Sequence, residues 1–317
     1  VFLGGNYIEL GISSVGSFGT NGSKPANFIG TTRSTKIGMS NDADGFGVGT
    51  NLGIDYFLPG SPEERWVVGY NGNQTASASA LAGSSGTISI TGVTNDSSGD
   101  TLKATHTAVA NNTLQVQQII SFGVNDKFFK NTVTLTNTTG ATLSDVRFMR
   151  SFDPDNTVFY GGGYSTFNRV DDQTASTPGG SAVVSATSLN DSYQTAAGST
   201  AKILFYSNES TARVAAFGFS NRNPYAMPSQ NTGYSIQTDG GISIMFAVGS
   251  LAPGESKTVS YYTSLDTRPV AETVAAIETV AAVPNVAPSF ALPTYDGSLS
   301  TATDTSGNDT FANLTGH

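Results

Sequence analysis

Thr132-Val133-Thr134-Leu135-Thr136-Asn137-Thr138-Thr139-Gly140, followed by Asp145-Val146-Arg147-Phe148-Met149-Arg150, is the stretch that decides the fold class. Val133 and Leu135 alternate with three threonines, and Val146, Phe148 and Arg150 alternate with Arg147 and Met149. A strand sends successive side chains to opposite faces, so alternation with one apolar side marks a half-buried antiparallel strand. Asn137-Thr138-Thr139-Gly140 between the two runs has turn chemistry. Working outward, Thr87, Ser89 and Thr91 alternate with Ile88, Ile90 and Gly92, and Leu114, Val116 and Gln118 with Gln115, Gln117 and Ile119. Turn residues at Asn95–Gly99 and Asn125-Asp126 separate them. The section 84–150 therefore reads as a run of hairpins.

The same grammar extends to both sides. Ile54–Leu58 and Trp66–Tyr70 read as strands, as do Ala182–Ala186, Ile203–Ser207, Val214–Phe219, Tyr234–Gln237, Ile242–Val248 and Thr258–Thr263. The character changes at 268–282, a glycine-free run with Val270, Val274, Ile277 and Ala281 at helical spacing. Pro269 suits a first helical turn, and Pro284, Pro288 and Pro293 read as a stiff linker.

Composition agrees and excludes several classes. The chain has 317 residues, 36 glycines and only 12% charged residues, about half the roughly 25% usual in soluble domains. It contains no cysteine, which excludes disulfides, thiolate metal sites and a Cys nucleophile. A net charge of −9 argues against a phosphate-binding surface, so nucleic acid is not an expected partner. No apolar run is long enough to span a membrane as a helix.

Candidate sites each carry two readings. Asp42-Ala43-Asp44-Gly45 reads first as a solvated turn and second as a Ca2+ loop, because alternate carboxylates before a sharp turn can converge on one ion. It fails as an EF-hand, since the twelfth position is Asn51 rather than Glu. Asp153-Pro154-Asp155-Asn156 offers the same Ca2+ chemistry, but pairing of its carboxylates with Arg147 or Arg150 is the favoured reading. Glu63-Glu64 are adjacent on an expected strand and point to opposite faces, so they are a poor carboxylate pair for sugar hydrolysis. Glu63 or Glu64 with Asp153 or Asp155 remains open as such a pair. His106 in an alternating strand reads as a surface position, and no nucleophile elbow accompanies it. Trp66, Tyr70, Tyr160, Tyr164, Phe167 and Tyr225 lie near turns or strand ends and are candidate sugar platforms, with core filling as the plainer alternative.

Three groups of residues occur together in a recognisable order. They are Gly5–Ile12 (GNYIELGI) with Gly16–Thr20 (GSFGT), Asp55–Arg65 (DYFLPGSPEER), and Val133–Thr138 (VTLTNT) with Asp145–Asn156 (DVRFMRSFDPDN). Together they resemble a module of large bacterial repeat-containing surface adhesins and autotransporter-like proteins. Gly297–Asp304 and Asp309–Ala312 resemble the start of their cadherin-like repeats. The resemblance implies an extracellular, non-enzymatic adhesin module at the bacterial cell surface, with a glycan or neighbouring repeats of the same chain as partners. It carries over no catalytic residue and no ligand. The strand order is also similar to that of supersandwich domains in carbohydrate-active proteins, which leaves a polysaccharide-acting enzyme or an accessory carbohydrate-binding domain as the alternative.

The expected architecture is all-β: a large antiparallel β-sandwich over residues 1–267, supersandwich-like in extent. A helix and Pro-rich linker follow at 268–293, and the lead of a cadherin-like repeat at 294–317. The first residues, Val1-Phe2-Leu3-Gly4-Gly5, lack Met and a signal-peptide pattern, and the chain reads as a piece cut from a longer protein.

Overall fold

A computed structural model of the chain describes residues 1–20, 22–31, 34–49, 53–189 and 200–282. Residues 1–279 form one compact unit; of the second unit, 280–317, only the last residues of a helix are described. The expected linker at 283–293 and repeat lead at 294–317 lie outside the described residues.

The period-2 stretch folds as the alternation requires. In chain order the strands are β1 (Phe2–Gly4), β2 (Ile8–Gly11), β3 (Met39–Asn41), β4 (Ile54–Asp55), β5 (Glu63–Tyr70), β6 (Gln74–Ala78), β7 (Ile88–Asn95), β8 (Thr101–Ala110) and β9 (Leu114–Gly123). They continue as β10 (Phe128–Asn137), β11 (Leu143–Asp153), β12 (Thr166–Gln173), β13 (Ala182–Ser188), β14 (Lys202–Ser207), β15 (Ala212–Ala216), β16 (Ser235–Thr238), β17 (Ile242–Leu251) and β18 (Ser256–Ser264). A nine-stranded sheet runs β16-β12-β13-β14-β18-β10-β9-β8-β7, and a five-stranded sheet runs β15-β17-β11-β5-β6. β1 to β4 make a small third sheet. Each of these pairings is antiparallel. The fold is thus an all-β antiparallel sandwich, as the sequence predicts.

The core lies between the two large sheets. Val133 and Leu135 of β10 meet Val146, Phe148 and Phe152 of β11 and Ile242, Ile244 and Phe246 of β17 in one continuous apolar cluster. The alternate residues of β11 point outward, where Met149 joins Val67 and Met245 in a second cluster beneath Phe217 and Met227. Part of the outer face of the nine-stranded sheet is covered by a helix, α1 (Val270–Ala282). Ile277 is fully buried there against Phe128, Val183, Leu204, Tyr206 and Tyr262. The helix begins where the Pro269 carbonyl accepts the N–H groups of Glu272 and Thr273, in keeping with the role expected of that proline.

Three details differ from the sequence reading. The strand expected at Ile54–Leu58 stops at Asp55. There the Asp55 carboxylate accepts N–H bonds from Gly38, Phe57 and Leu58 at 2.7, 2.9 and 2.9 Å, and this turns the chain. β12 and β6 carry no clean alternation, and both are strands nonetheless. β7, at one margin of the nine-stranded sheet, is irregular: its pairing with β8 shifts register between Ile90 and Gly92.

Candidate functional site

The polar residues with chemical potential fall into two places, one inside the sandwich and one at its end. Inside, the alternation that buries Val146 and Phe148 also buries Arg150, and that on β8 and β9 buries His106 and Gln118. His106 stands directly opposite Gln118 in the β8–β9 register. Arg150 pairs through both its Nε and Nη2 with the fully buried Glu64 carboxylate, the latter at 3.0 Å. Its Nη1 donates to Gln118 Oε1 at 2.7 Å. That contact fixes the Gln118 amide, whose Nε2 lies 3.3 Å from His106 Nδ1. With Gln118 Oε1 taken by Arg150, the amide N–H group is the one turned to the His106 ring. The loop between β2 and β3 caps the network. Phe18 N–H donates to Glu64 Oε2 at 2.6 Å, the Gly16 carbonyl accepts from Arg150, and the guanidinium stands 3.8 Å from the centre of the Phe18 ring.

Burial sets the electrostatics here. Desolvation raises Glu64 to about 6 against the opposing pull of Arg150 and the Phe18 N–H. Desolvation and the Arg150 charge together push His106 down to about 4. Gly16 has φ +76°, and a Cβ there would stand 2.4 Å from the His106 ring. Only glycine lets this loop lie flat on the imidazole. His106 is accordingly a core residue, correcting the surface reading. Glu63 is buried on the opposite face and pairs with Arg65. Glu63 stands directly opposite Asp153 in the β5–β11 register, whereas Glu64 points to the other face and is taken up by Arg150.

The aromatic candidates separate by exposure. Trp66 is fully buried, with its Nε1 donating to the Val15 carbonyl at 2.8 Å. Tyr70 is buried in the same core. Tyr225 is half-buried: its hydroxyl donates to the Asp145 carbonyl at 2.7 Å and Arg147 stands 4.5 Å over its ring. Trp66 and Tyr70 are thus packing residues rather than open platforms, a correction made by the core that covers them. The Tyr160 side chain lies outside the described part of the structure. Tyr164 is 52% exposed and Phe167 is 38% exposed.

The carboxylates sort differently from expectation. Arg147 pairs with Asp145 and Arg150 with Glu64, so neither arginine neutralises Asp153 or Asp155. The reason is parity. Arg150 and Asp153 are an odd number of residues apart on one strand and point to opposite faces. Arg147 shares the face of Asp153 but stands about 20 Å along the strand. Asp153 and Asp155 instead gather with Asp239, a residue the sequence reading passed over; the three offer carboxylate oxygens within 4.8 Å of one another. Its only sequence signal is the Asp239-Gly240-Gly241 turn after the β16 run. Asp153 is pushed up to about 8 by burial and by the charges of Asp155, Asp239 and Glu63. Burial and Asp239 push Asp155 up to about 7. Asp42 is buried and Asp44 exposed within a hydrogen-bonded turn closed by Gly45 N–H to the Asp42 carbonyl at 3.3 Å. Among the described residues they join no such group of three ligand side chains.

Tyr164 adjoins the acidic cluster. Gly60 has φ +70°, and a Cβ there would meet Asp155 Oδ2 at 2.0 Å and Tyr164 Cδ1 at 3.0 Å. The exposed ring and the carboxylate thus share one glycine as their floor.

No protein-family model matches the chain, and no curated protein matches it by sequence. Partial structural likenesses exist. A GH36 alpha-galactosidase from Geobacillus stearothermophilus aligns at 8% identity and TM-score 0.39, over 84% of this chain and 41% of that one. A heparan sulfate lyase from Pedobacter heparinus aligns at 10% identity and TM-score 0.33, over 58% of this chain and 22% of that one. A polysaccharide lyase aligns at 13% identity and TM-score 0.37, over 84% and 33%. The chain spans less than half the length of each. The fold class rests on the strand pairings given above. Among the described residues, no helix is long and apolar enough to cross a membrane.

Proposed function

We propose that the chain is a non-enzymatic module of a secreted bacterial surface protein and that it binds carbohydrate at the end of the sandwich where Tyr164 stands. The observation that carries this reading is the half-exposed Tyr164 ring held beside Asp155 over Gly60. An aromatic face stacks on the apolar C–H side of a sugar ring, while a neighbouring carboxylate accepts from its hydroxyls. Phe167 extends the apolar surface on β12, with Gln237 directly opposite it on β16 as a further polar contact. Of the residues weighed for acid–base work, Glu63, Glu64 and His106 are buried and partnered in the sheets. Surface location and the adhesin role rest on the sequence motifs and low charge.

The test is a glycan array probed with the full chain, in buffer with and without calcium, followed by titration of any hit against Tyr164→Ala. Binding that drops at least tenfold in the variant supports the reading. No hit in either buffer, or a hit indifferent to Tyr164→Ala, refutes it.

A further inference from the structure

The acidic cluster poses a problem the protein must solve. Asp153 and Asp155 are 2% and 3% exposed. Asp155 Oδ1 and both Asp153 oxygens are buried with no N–H or hydroxyl donor on them, and the side chain that Asp153 meets is another carboxyl group, that of Asp239. A buried carboxylate without a donor costs several kcal/mol unless something neutralises it. The charges that weigh on Asp153 are all negative, those of Asp155, Asp239 and Glu63. Glu63 has its own partner in Arg65. Among the described residues no side-chain cation pairs with the three remaining carboxylates.

We infer that Asp153, Asp155 and Asp239 bind a Ca2+ ion. The donor set is all oxygen, which selects a hard cation over zinc or copper. Calcium ligands stand 2.3–2.6 Å from the ion, so oxygens across it are about 5 Å apart at most. The three carboxylates, within 4.8 Å of one another, fit that sphere. Asp239 is the exposed member, so water completes the shell on its side. The place in the topology gives the ion work to do. Asp153 ends β11 in the five-stranded sheet, and Asp155 leads into a short 3-10 turn, Asn156–Tyr160, on the way to β12 in the nine-stranded sheet. Asp239 lies in the return crossing, between β16 of the larger sheet and β17 of the smaller. One ion thus ties both crossings. Asp155 is shared with the sugar-binding reading, but the calcium site is argued from the three carboxylates alone and its test needs no glycan.

The experiment is thermal unfolding of the full chain in excess CaCl2, excess MgCl2 and EDTA, for the parent, Asp239→Asn and Asp153→Asn. The parent should melt several degrees higher in calcium than in EDTA, with a smaller gain in magnesium. Asp239→Asn, at an exposed position, should fold, melt in EDTA no lower than the parent, and show no calcium gain. Asp153→Asn should lose the gain as well; should it fail to fold, Asp239→Asn alone decides. Equal melting of the parent in calcium and EDTA overturns the proposal and leaves protonation as the way the cluster is neutralised. A calcium gain that survives in Asp239→Asn places the ion elsewhere and overturns it too. A magnesium gain equal to that of calcium overturns the choice of metal.

Discussion

Replacing His106 by Asn should make the protein less sensitive to acid. The folded imidazole is held down to about 4, while in the unfolded chain it titrates at its ordinary value of 6.5. As pH falls below 6.5 the unfolded chain takes up the proton first, so stability is complete above that value and is lost toward the folded value. At pH 4.5 most unfolded chains carry the proton and most folded ones do not. The loss between pH 7 and 4.5 is then about 2 kcal/mol, since each tenfold preference is worth about 1.4 kcal/mol. Glu64, raised to about 6, works in the opposite direction; it is present in both proteins and cancels in the comparison. His106→Asn keeps an acceptor for Gln118 but cannot be protonated. It pays the same packing cost at both pH values. The assay is urea unfolding at pH 7 and 4.5, followed by the fluorescence of Trp66, the chain's one tryptophan. The parent should lose about 2 kcal/mol more than the variant over that interval. Equal losses would refute both the burial of the ring and its pairing with the Gln118 amide.

Other outcomes follow from the same structure. Arg150→Met leaves the Glu64 charge buried and unpaired, and should cost about 3–5 kcal/mol in denaturant titration; adding Glu64→Leu should recover much of that. Ile277→Ala removes the helix's one fully buried large side chain. It should destabilise the domain by about 2–5 kcal/mol in the same titration if α1 folds as part of the unit. Trp66 emission should be blue-shifted, resistant to acrylamide and unchanged by any glycan that binds, since its ring is sealed in the core; strong quenching in the native state would contradict that burial.

Much of the sandwich was legible, because strands with one wet face announce themselves. Val133, Leu135, Val146 and Phe148 all point inward as their alternation requires. β5 was half legible. Its apolar run Trp66–Tyr70 was read, but the strand begins three residues earlier, because Glu63-Glu64-Arg65 are buried on both faces with the rest. His106 was misread for a related reason. An inward-facing polar residue looks like surface until its partner, here Gln118, arrives from another strand. The Arg–Asp153 pairing, by contrast, could have been rejected on strand parity alone. The third carboxylate could not be read locally. Asp239 meets Asp153 and Asp155 only because two crossings between sheets end side by side, and no spacing along the chain encodes that.

The irregular pairing of β7 has a consequence for the protein's neighbours. A nine-stranded sheet has two open margins, each a row of free backbone groups on which another chain could add a strand. One margin is β16, only four residues long. The other, β7, is longer, but its slip between Ile90 and Gly92 bends the strand and spoils the even ladder that a partner would need. Wherever copies of this chain meet at high concentration, such interruptions keep each sheet finite and discourage the copies from fusing into a fibre.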